Sequence, residues 1–244
     1  MELFGRREPN LLRFIVNSFR PLQIAARTCA SKIDVATYEG MMTYSILATA
    51  FEKVFSIPTF ENRERLWDEC MKQVGGNTKI TYVEFGVYGG YSIKQFAQRN
   101  SNGESVFIGL DSFEGLPEDW GRYLLKGAFN DVKGIIPTTD DTRISFIKGW
   151  FQDTWEELNE RLANRDTLVV NFDADLYSST LFALAKIDSL KRSYIAIFDE
   201  FVNHEVRALY NYCQAFNASV AFIAKTDVSD YPMQVMCRIT PRSS

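Results

Sequence analysis

Residues 80 to 99 constrain the fold more than any other stretch of the chain. A β-branched and aromatic run, Ile80 to Val83, predicts a buried strand, and it is followed by an acid, by several glycines and by a helical pattern from Ile93 to Arg99. Glycines permit a tight turn and let backbone N–H groups come close to a ligand. The stretch therefore predicts a strand, glycine turn and helix unit of an α/β protein, either with a ligand at the turn or as a plain connection.

The next predicted strand supplies a second acid. It covers residues 105–110 and ends in Asp111, at the distance where nucleotide-binding α/β folds place the acid that binds ribose hydroxyls. The G-x-G-x-x-G of dinucleotide enzymes is missing, and the chain has Glu84-x-Gly86-x-x-x-Gly90 instead. That pattern resembles motif I of the class I S-adenosylmethionine-dependent methyltransferases. The resemblance implies that Glu84 lies near the amino-acid end of the cofactor and that Asp111 binds the ribose.

Strand and helix patterns alternate from residue 80 onward. The predicted strands are 80–85, 105–110, 144–148, 167–172, 193–198, 219–224 and 233–238, and the predicted helices are 91–100, 152–163, 178–190 and 203–215. This alternation predicts an α/β fold with a doubly wound, mostly parallel sheet. Because no helix separates the last two strands, we expect them to be antiparallel. That ending matches the seven-stranded Rossmann-like methyltransferase sheet, whose last strand is reversed.

The first part of the chain is predicted to be helical and separate from this domain. We assign residues 1–75 to an N-terminal helical segment or lid and residues 76–244 to the S-adenosylmethionine-dependent methyltransferase domain. Residues 1–33 are basic and amphipathic, which is typical of a helix that covers an active site or makes a homo-oligomer contact, or else of one that lies on a membrane surface. Residues 34–75 predict two helices broken near Pro58.

Composition excludes several classes of protein. The net charge of −4 argues against a nucleic-acid partner, because phosphate binding needs a cationic surface. No apolar run approaches the roughly 20 residues of a membrane span, and no signal peptide pattern is present. The four cysteines are scattered, without C-x-x-C spacing. These features predict a cytoplasmic protein with reduced thiols.

One connection is unusually long. More than 30 residues separate Asp111 from Ile144, and the segment is rich in both glycine and aromatic residues. Long loops in compact domains are usually functional or disordered, and this one is too apolar for simple disorder. We therefore predict that residues 113–143 form a partly helical lid over a cofactor or substrate.

Two predicted strands end in pairs of acids. Asp173 and Asp175 follow the strand 167–172, and Asp199 and Glu200 follow the strand 193–198. In extended backbone, alternate residues project to the same side, so Asp173 and Asp175 are expected to face one site at the carboxyl edge of the sheet. Clustered carboxylates repel one another and suit Mg²⁺ or a similar ion. The alternative is that Asp175 and Glu200 only favour the starts of the helices that follow.

The single histidine lies close to the second acid pair. His204 follows Asn203 at the start of a predicted helix. A lone histidine is more often structural, but an imidazole titrates near neutral pH and suits a general base. The sequence therefore leaves two candidate bases, Asp175 and His204.

Four motifs occur in the order of the macrocin O-methyltransferase (TylF-like) family, which this chain resembles. They are residues 83–92 (E-x-G-V-x-x-G-x-S), 111–117 (D-S-F-E-G-L-P), 148–154 (G-W-F-x-D-T) and 173–177 (D-x-D-L-Y). Members methylate hydroxyls, often on sugars of natural products, with Mg²⁺ held by acids at the strand ends. The resemblance implies Asp173 and Asp199 as metal ligands and Asp175 as ligand or base. Glu200 stands where the sugar enzymes more often have aspartate.

The sequence thus predicts a Mg²⁺-assisted O-methyltransferase for a small-molecule hydroxyl of a sugar or natural product. The expected cofactor-binding residues are Glu84, Gly86, Tyr88, Gly90, Ser92, Asp111, Ser112, Phe113, Gly149, Trp150 and Asp173; the catalytic residues are Asp173, Asp175 and His204; the metal ligands are Asp173, Asp199 and Glu200. Three alternatives stay open: a metal-independent methyltransferase with His204 as base, a non-catalytic cofactor-binding or assembly protein, and a nicotinamide-dependent oxidoreductase.

Overall fold

The computed structural model describes residues 35–120, 124–162, 166–201 and 204–242. The chain divides into two compact units, Met1–Met41 and Met42–Ser244. The second unit contains the whole sheet and includes residues 42–75, which we assigned to the N-terminal helical segment. The basic stretch 1–33 lies outside the described residues, so its role as a lid or oligomer contact stays a prediction.

The larger unit is a mixed α/β structure. Its strands are β1 (Thr59–Phe60), β2 (Ile80–Phe85), β3 (Val106–Asp111), β4 (Ile144–Lys148), β5 (Thr167–Phe172), β6 (Tyr194–Phe198), β7 (Ser219–Val228) and β8 (Tyr231–Thr240). Among the described residues, α1 (Val35–Thr49) begins in the smaller unit, and the larger unit contains α2 (Arg63–Val74), α3 (Tyr91–Arg99), α4 (Phe151–Arg161), α5 (Tyr177–Asp188) and α6 (His204–Phe216), with short 3₁₀ helices over Glu52–Ser56 and Asn130–Val132. The seven strands and four helices predicted from residue 80 onward are all present.

The sheet has eight strands in the order β1-β7-β8-β6-β5-β2-β3-β4. The strands from β2 to β6 pair in parallel, and β8 runs antiparallel to both β6 and β7. The predicted doubly wound sheet with a reversed final strand is therefore confirmed. Because β2 is the middle one of the five parallel strands β6-β5-β2-β3-β4, the turn that follows it opens at the middle of their carboxyl edge.

The eighth strand is a feature that we did not predict. Residues 34–75 do form two helices on either side of Pro58, as expected, but β1 lies between them and pairs in parallel with β7. The carbonyl of Pro58 accepts a hydrogen bond from the backbone N–H of Lys225 at 2.9 Å. Pro58 follows the 3₁₀ helix Glu52–Ser56, and its carbonyl makes the first hydrogen bond between β1 and β7.

Both faces of the sheet are covered, and successive residues of β2 project to opposite sides. Val83 and Phe85 pack in a core with α4, α5 and α6. Ile80 and Tyr82 pack in a second core with α2 and α3. All six residues of β2 are buried. This two-sided burial fixes β2 rigidly and leaves its carboxyl end as the place where side chains from several strands can meet.

Membrane-spanning helices and the state of the cysteines can be examined in the described residues. No helix in the described residues is long and apolar enough to cross a membrane. Of the cysteines within the described ranges, Cys70, Cys213 and Cys237 are free thiols.

Candidate active site

The glycine turn after β2 lies tightly against the end of β5. Gly86 has a φ of +92°, and a Cβ atom at this position would lie 1.7 Å from the carbonyl oxygen of Asp173. The Gly86 N–H donates to the Leu110 carbonyl at 2.9 Å, and the Asp173 N–H donates to the Phe85 carbonyl at 2.9 Å. Only glycine permits both the left-handed backbone and this close approach.

Asp111 ties the end of β3 to the turn. Its Oδ2 atom accepts hydrogen bonds from the N–H groups of Val87 and Tyr88, each at 2.8 Å, and its Oδ1 atom accepts from the N–H of Phe113 at 2.7 Å. An ionised carboxylate offers about four acceptor positions. The structure therefore leaves Asp111 with an acceptor position for a ligand hydroxyl.

These elements surround a cavity of about 800 Å³ at the carboxyl edge of the sheet. Such a volume is typical of a small-molecule site. Most of the predicted site residues line it, namely Gly86, Tyr88, Asp111, Ser112, Phe113, Gly149, Trp150, Asp173, Asp175, Asp199 and Glu200. The four motifs and the second acid pair thus meet around one space.

Glu84 is predicted to contact the cofactor, but the structure does not bring it to the cavity wall. Its carboxylate faces the core formed with α2 and α3, where it accepts hydrogen bonds from the Tyr82 hydroxyl at 2.5 Å and the Ser92 hydroxyl at 2.9 Å. The amide of Asn171 donates to it at 3.4 Å. Burial raises the pKa of Glu84 to about 7, although the hydrogen bonds from Tyr82, Ser92 and Asn171 oppose that rise.

Three other predicted residues also lie outside the cavity wall. Gly90 caps the start of α3 with a φ of +74° and faces Pro137. Ser92 is buried and turned toward Glu84. His204 is the first residue of α6, and its side chain is buried. The geometry therefore separates His204 from the cavity that holds Asp175.

The backbone around the first acid pair differs from the expected extended form. Asp175 has a φ of 59°, in the left-handed region, yet Asp173 and Asp175 both line the cavity. The N-cap of α5 is Leu176, and no side chain makes a cap hydrogen bond there. Capping of α5 therefore does not explain Asp175, and a strained backbone of this kind is common at functional sites.

Burial and mutual repulsion raise the pKa values of the strand-end acids. Burial and the neighbouring Glu200 raise the pKa of Asp175 to about 7, and burial and Asp199 raise the pKa of Glu200 to about 7. Burial and Asp199 raise the pKa of Asp173 well above its usual range. Like charges in a partly dry site cannot all ionise without compensation. The wall is thus suited to cationic groups.

Two further polar residues hold the acids of the cavity wall from behind and were not among the predicted site residues. Glu205 is buried behind it, and its carboxylate accepts a hydrogen bond from the backbone N–H of Glu200 at 3.1 Å. The side-chain amide of Gln234 donates a hydrogen bond to Asp199. Gln234 lies on β8, and it reaches the site only because β8 pairs beside β6. No local sequence signal marks it.

Two cations also line the cavity. Arg63 is the first residue of α2, and Lys126 comes from the long loop. Neither lies in a motif that sequence reasoning connects to the site. The position of Arg63 depends on the packing of α2 beside the glycine turn.

The predicted metal ligands share the cavity but not a ligating arrangement. Asp173, Asp199 and Glu200 all line it. Among the residues that the structure describes, no group of three or more histidine, cysteine, aspartate or glutamate side chains is arranged to hold a metal ion. The charge of the wall favours a cation, whereas its described geometry is not that of a metal site.

The long loop forms one side of the cavity. Leu116, Glu118 and Phe129 line it, and the described part of the loop contains little regular structure beyond the 3₁₀ helix at 130–132. The Tyr88 hydroxyl donates a hydrogen bond to Asp131, and the Ser178 hydroxyl donates to Glu118 at 2.5 Å. These contacts connect the loop to both the glycine turn and α5.

Among the comparisons with known proteins, only those with solved structures give matches, and they agree on the fold. No protein-family model and no curated protein matches the sequence. A solved structure of CalS11, a calicheamicin methyltransferase, is 19% identical, covers 83% of this chain and 91% of its own, and has a TM-score of 0.51. An O-methyltransferase from Bacillus cereus in complex with SAH is 13% identical, covers 88% of this chain and 97% of its own, and also has a TM-score of 0.51.

The sheet order and these neighbours define the class of the fold. It is the Rossmann-like fold of class I methyltransferases, with β1 added at the edge beside β7. At 19% and 13% identity, the likeness is one of architecture. Function has to be argued from the cavity itself.

Proposed function

We propose that this chain is an S-adenosylmethionine-dependent O-methyltransferase that acts on a hydroxyl group of a small molecule. One observation carries the proposal: the glycine turn after β2, the acid at the end of β3 and the acids after β5 and β6 all line one cavity. That cavity lies at the carboxyl edge of the sheet, where ligands of open α/β folds bind.

The cavity wall fits the parts of such a cofactor. Asp111 has an acceptor position for a ribose hydroxyl, while Trp150 offers exposed aromatic surface for the adenine. Gly86 exposes backbone beside the strand ends, where the amino-acid part would lie. When bound, S-adenosylmethionine supplies an electrophilic methyl group on a sulfonium ion.

The chain's own contribution to methyl transfer is alignment and proton acceptance. Holding the acceptor oxygen in line with the bond to the methyl group accounts for most of the rate enhancement in such a transfer. Asp175 lines the cavity, and its pKa of about 7 suits it to take the hydroxyl proton near neutral pH. We therefore assign the role of general base to Asp175 rather than to His204, which is buried outside the wall.

Mg²⁺ assistance is the finer part of the proposal. Asp173, Asp199 and Glu200 supply the negative charge that such an ion needs, and Glu200 is the residue at which the sequence departs from the family pattern. The described side chains do not supply the geometry, so no step of the reaction is assigned to the metal.

The proposed acceptor class rests on the resemblance to the sugar and natural-product enzymes. We propose a sugar or a natural product, as for the calicheamicin methyltransferase with the similar fold. Residues of the long loop, among them Lys126 and Phe129, would contact the acceptor. Specificity would then reside in the part of the chain that carries the fewest family motifs.

The experiment is to incubate the protein with S-adenosylmethionine and a panel of hydroxylated sugars, and to measure release of S-adenosylhomocysteine by mass spectrometry. We expect turnover with at least one acceptor and a loss of roughly 10²- to 10⁴-fold in Asp175→Asn. Asp230→Asn, at an exposed turn outside the cavity wall, should keep full activity.

Three further measurements distinguish the alternative functions. Turnover that survives EDTA would remove Mg²⁺ from the mechanism and leave the metal-independent reaction. Full activity in Asp175→Asn together with loss in His204→Ala would transfer the role of base to His204. Binding of S-adenosylmethionine without any release of S-adenosylhomocysteine would favour a non-catalytic cofactor-binding protein.

A further inference from the structure

Arg63 lines the cavity and lies over two aromatic rings. It begins α2, whose start is set by the Asn62 side chain accepting a hydrogen bond from the Arg65 N–H at 2.9 Å. Its guanidinium carbon lies 5.0 Å from the ring centre of Tyr91 and 5.4 Å from that of Trp67. Because Tyr91 directly follows the glycine turn, Arg63 lies beside that turn.

The hydrogen-bonding capacity of Arg63 is largely unused by the protein. Its guanidinium has five N–H donors. Within the described part of the chain it makes one ion pair, 3.5 Å long, with the adjacent residue Glu64, and 48% of its side chain is exposed. An exposed pair of that kind contributes little. Arg63 therefore retains donors for an anionic group in the cavity.

The acids of the cavity wall restrict which ligand can bring an anionic group to Arg63. Asp173 and Asp199 line the same cavity, and the positive charge of Arg63 opposes the burial that raises the pKa of Asp199. A ligand with a carboxylate alone would be repelled by these acids. A ligand that carries a carboxylate and an ammonium group on one carbon fits both signs of charge.

The order of the strands gives the direction of the ligand. Asp111 ends β3, the glycine turn follows β2, and the acid pairs follow β5 and β6, which lie next in the sheet. A nucleoside whose ribose lies at Asp111 therefore extends across the turn toward Asp173 and Asp199. The far end of the ligand then reaches Asp199, whose carboxylate interacts electrostatically with Arg63.

We propose that Arg63 binds the carboxylate of the methionine part of S-adenosylmethionine, with the acids after β5 and β6 facing its ammonium group. The inference rests on the proposed function. It gives the amino-acid end of the cofactor its contacts without Glu84, whose carboxylate faces away from the cavity. The planar fork of arginine matches a carboxylate with two parallel hydrogen bonds.

The test compares S-adenosylmethionine with its decarboxylated analogue, S-adenosyl-3-methylthiopropylamine, by isothermal titration. We expect Arg63→Gln to weaken binding of S-adenosylmethionine roughly tenfold to hundredfold. The same variant should change binding of the decarboxylated analogue by no more than about twofold, because the carboxylate that Arg63 binds is absent. Arg63→Lys keeps the charge but loses the fork, and it should lie between wild type and Arg63→Gln.

The matched control is Arg65→Gln. Arg65 lies on the same helix, is exposed, pairs with Glu61 and Asp68, and is not part of the cavity wall. It should leave the affinity for both ligands unchanged. Thermal unfolding of each variant checks that α2 is intact, and Arg63→Lys keeps the comparison decisive if Arg63→Gln does not fold.

Each outcome has a distinct meaning. Equal weakening of both ligands in Arg63→Gln would overturn the inference and make Arg63 a structural or general electrostatic residue. Unchanged affinity for S-adenosylmethionine in that variant would overturn it as well. Failure of the wild-type protein to bind S-adenosylmethionine would instead refute the proposed function on which the inference depends.

Discussion

The carboxylate of Glu84 is buried in the sheet and is held by three uncharged donors from Tyr82, Ser92 and Asn171. Burial raises its pKa from 4.5 to about 7. The folded state therefore binds this proton more tightly than the unfolded state does. Glu84 therefore does not lower the unfolding free energy below the pKa of the unfolded state. As the pH rises from there, ionisation of Glu84 increasingly destabilises the folded protein, and this loss is complete above the pKa of the folded state.

Replacing Glu84 with glutamine should remove that penalty. Between pH 4.5 and 7 the wild-type protein should lose about 3 kcal/mol of unfolding free energy through this group. Glu84→Gln should therefore lose less stability than wild type over the same window, while both Tyr82 and Ser92 can reorient their hydroxyls to the amide. Urea unfolding at several pH values measures the difference. Parallel stability profiles for the two proteins would mean that Glu84 does not titrate in this range.

The sequence could not predict on which face of the sheet the Glu84 side chain lies. Every residue of β2 is buried, so hydrophobic alternation does not distinguish the two sides of the strand. Asp111, in contrast, could be placed because it ends a strand at the edge where ligands bind. Arg63 and Gln234 come from α2 and β8, and only the packing of those elements brings Arg63 to the cavity and Gln234 to Asp199.

At the scale of elements, the connection from β2 to α3 depends on one position. A Cβ atom at Gly86 would meet the Asp173 carbonyl at 1.7 Å in a left-handed conformation, whereas a Cβ atom at Gly89 would have nothing within 4 Å. Gly86→Ala should therefore cost at least about 2 kcal/mol of unfolding free energy. Gly89→Ala is the matched control and should be close to neutral.

Unfolding in urea compares these two alanine variants, and S-adenosylmethionine binding by the folded fraction gives a second readout. Since the clash is with the backbone that carries Asp173, Gly86→Ala should also weaken ligand binding. Equal stability of the two variants would contradict the tight approach of the turn to β5.

The long loop is the element whose motion matters for the site. We predict that residues 113–120 and 124–140 become more protected from hydrogen exchange when S-adenosylmethionine binds. Tyr88→Phe removes the hydrogen bond to Asp131, so exchange of the loop without cofactor should become faster in this variant. Equal protection with and without cofactor would make the loop a static wall rather than a lid.

At the scale of the whole molecule, periodicity was sufficient to place the seven main strands. Alternating buried strands and amphipathic helices have few ways to pack, and the reversed last strand followed from the missing helix. The two-residue strand β1 is too short for any periodic signal, and it exists because β7 extends far enough to pair with it.

The cavity should bind S-adenosylmethionine in a manner that depends on Asp111. Isothermal titration of the protein with S-adenosylmethionine, S-adenosylhomocysteine and NAD measures this dependence. We expect saturable one-to-one binding of the first two ligands, no binding of NAD, and a roughly tenfold to hundredfold loss of affinity in Asp111→Ala. Binding of NAD alone, or an unchanged dissociation constant for S-adenosylmethionine in a folded Asp111→Ala variant, would contradict this expectation.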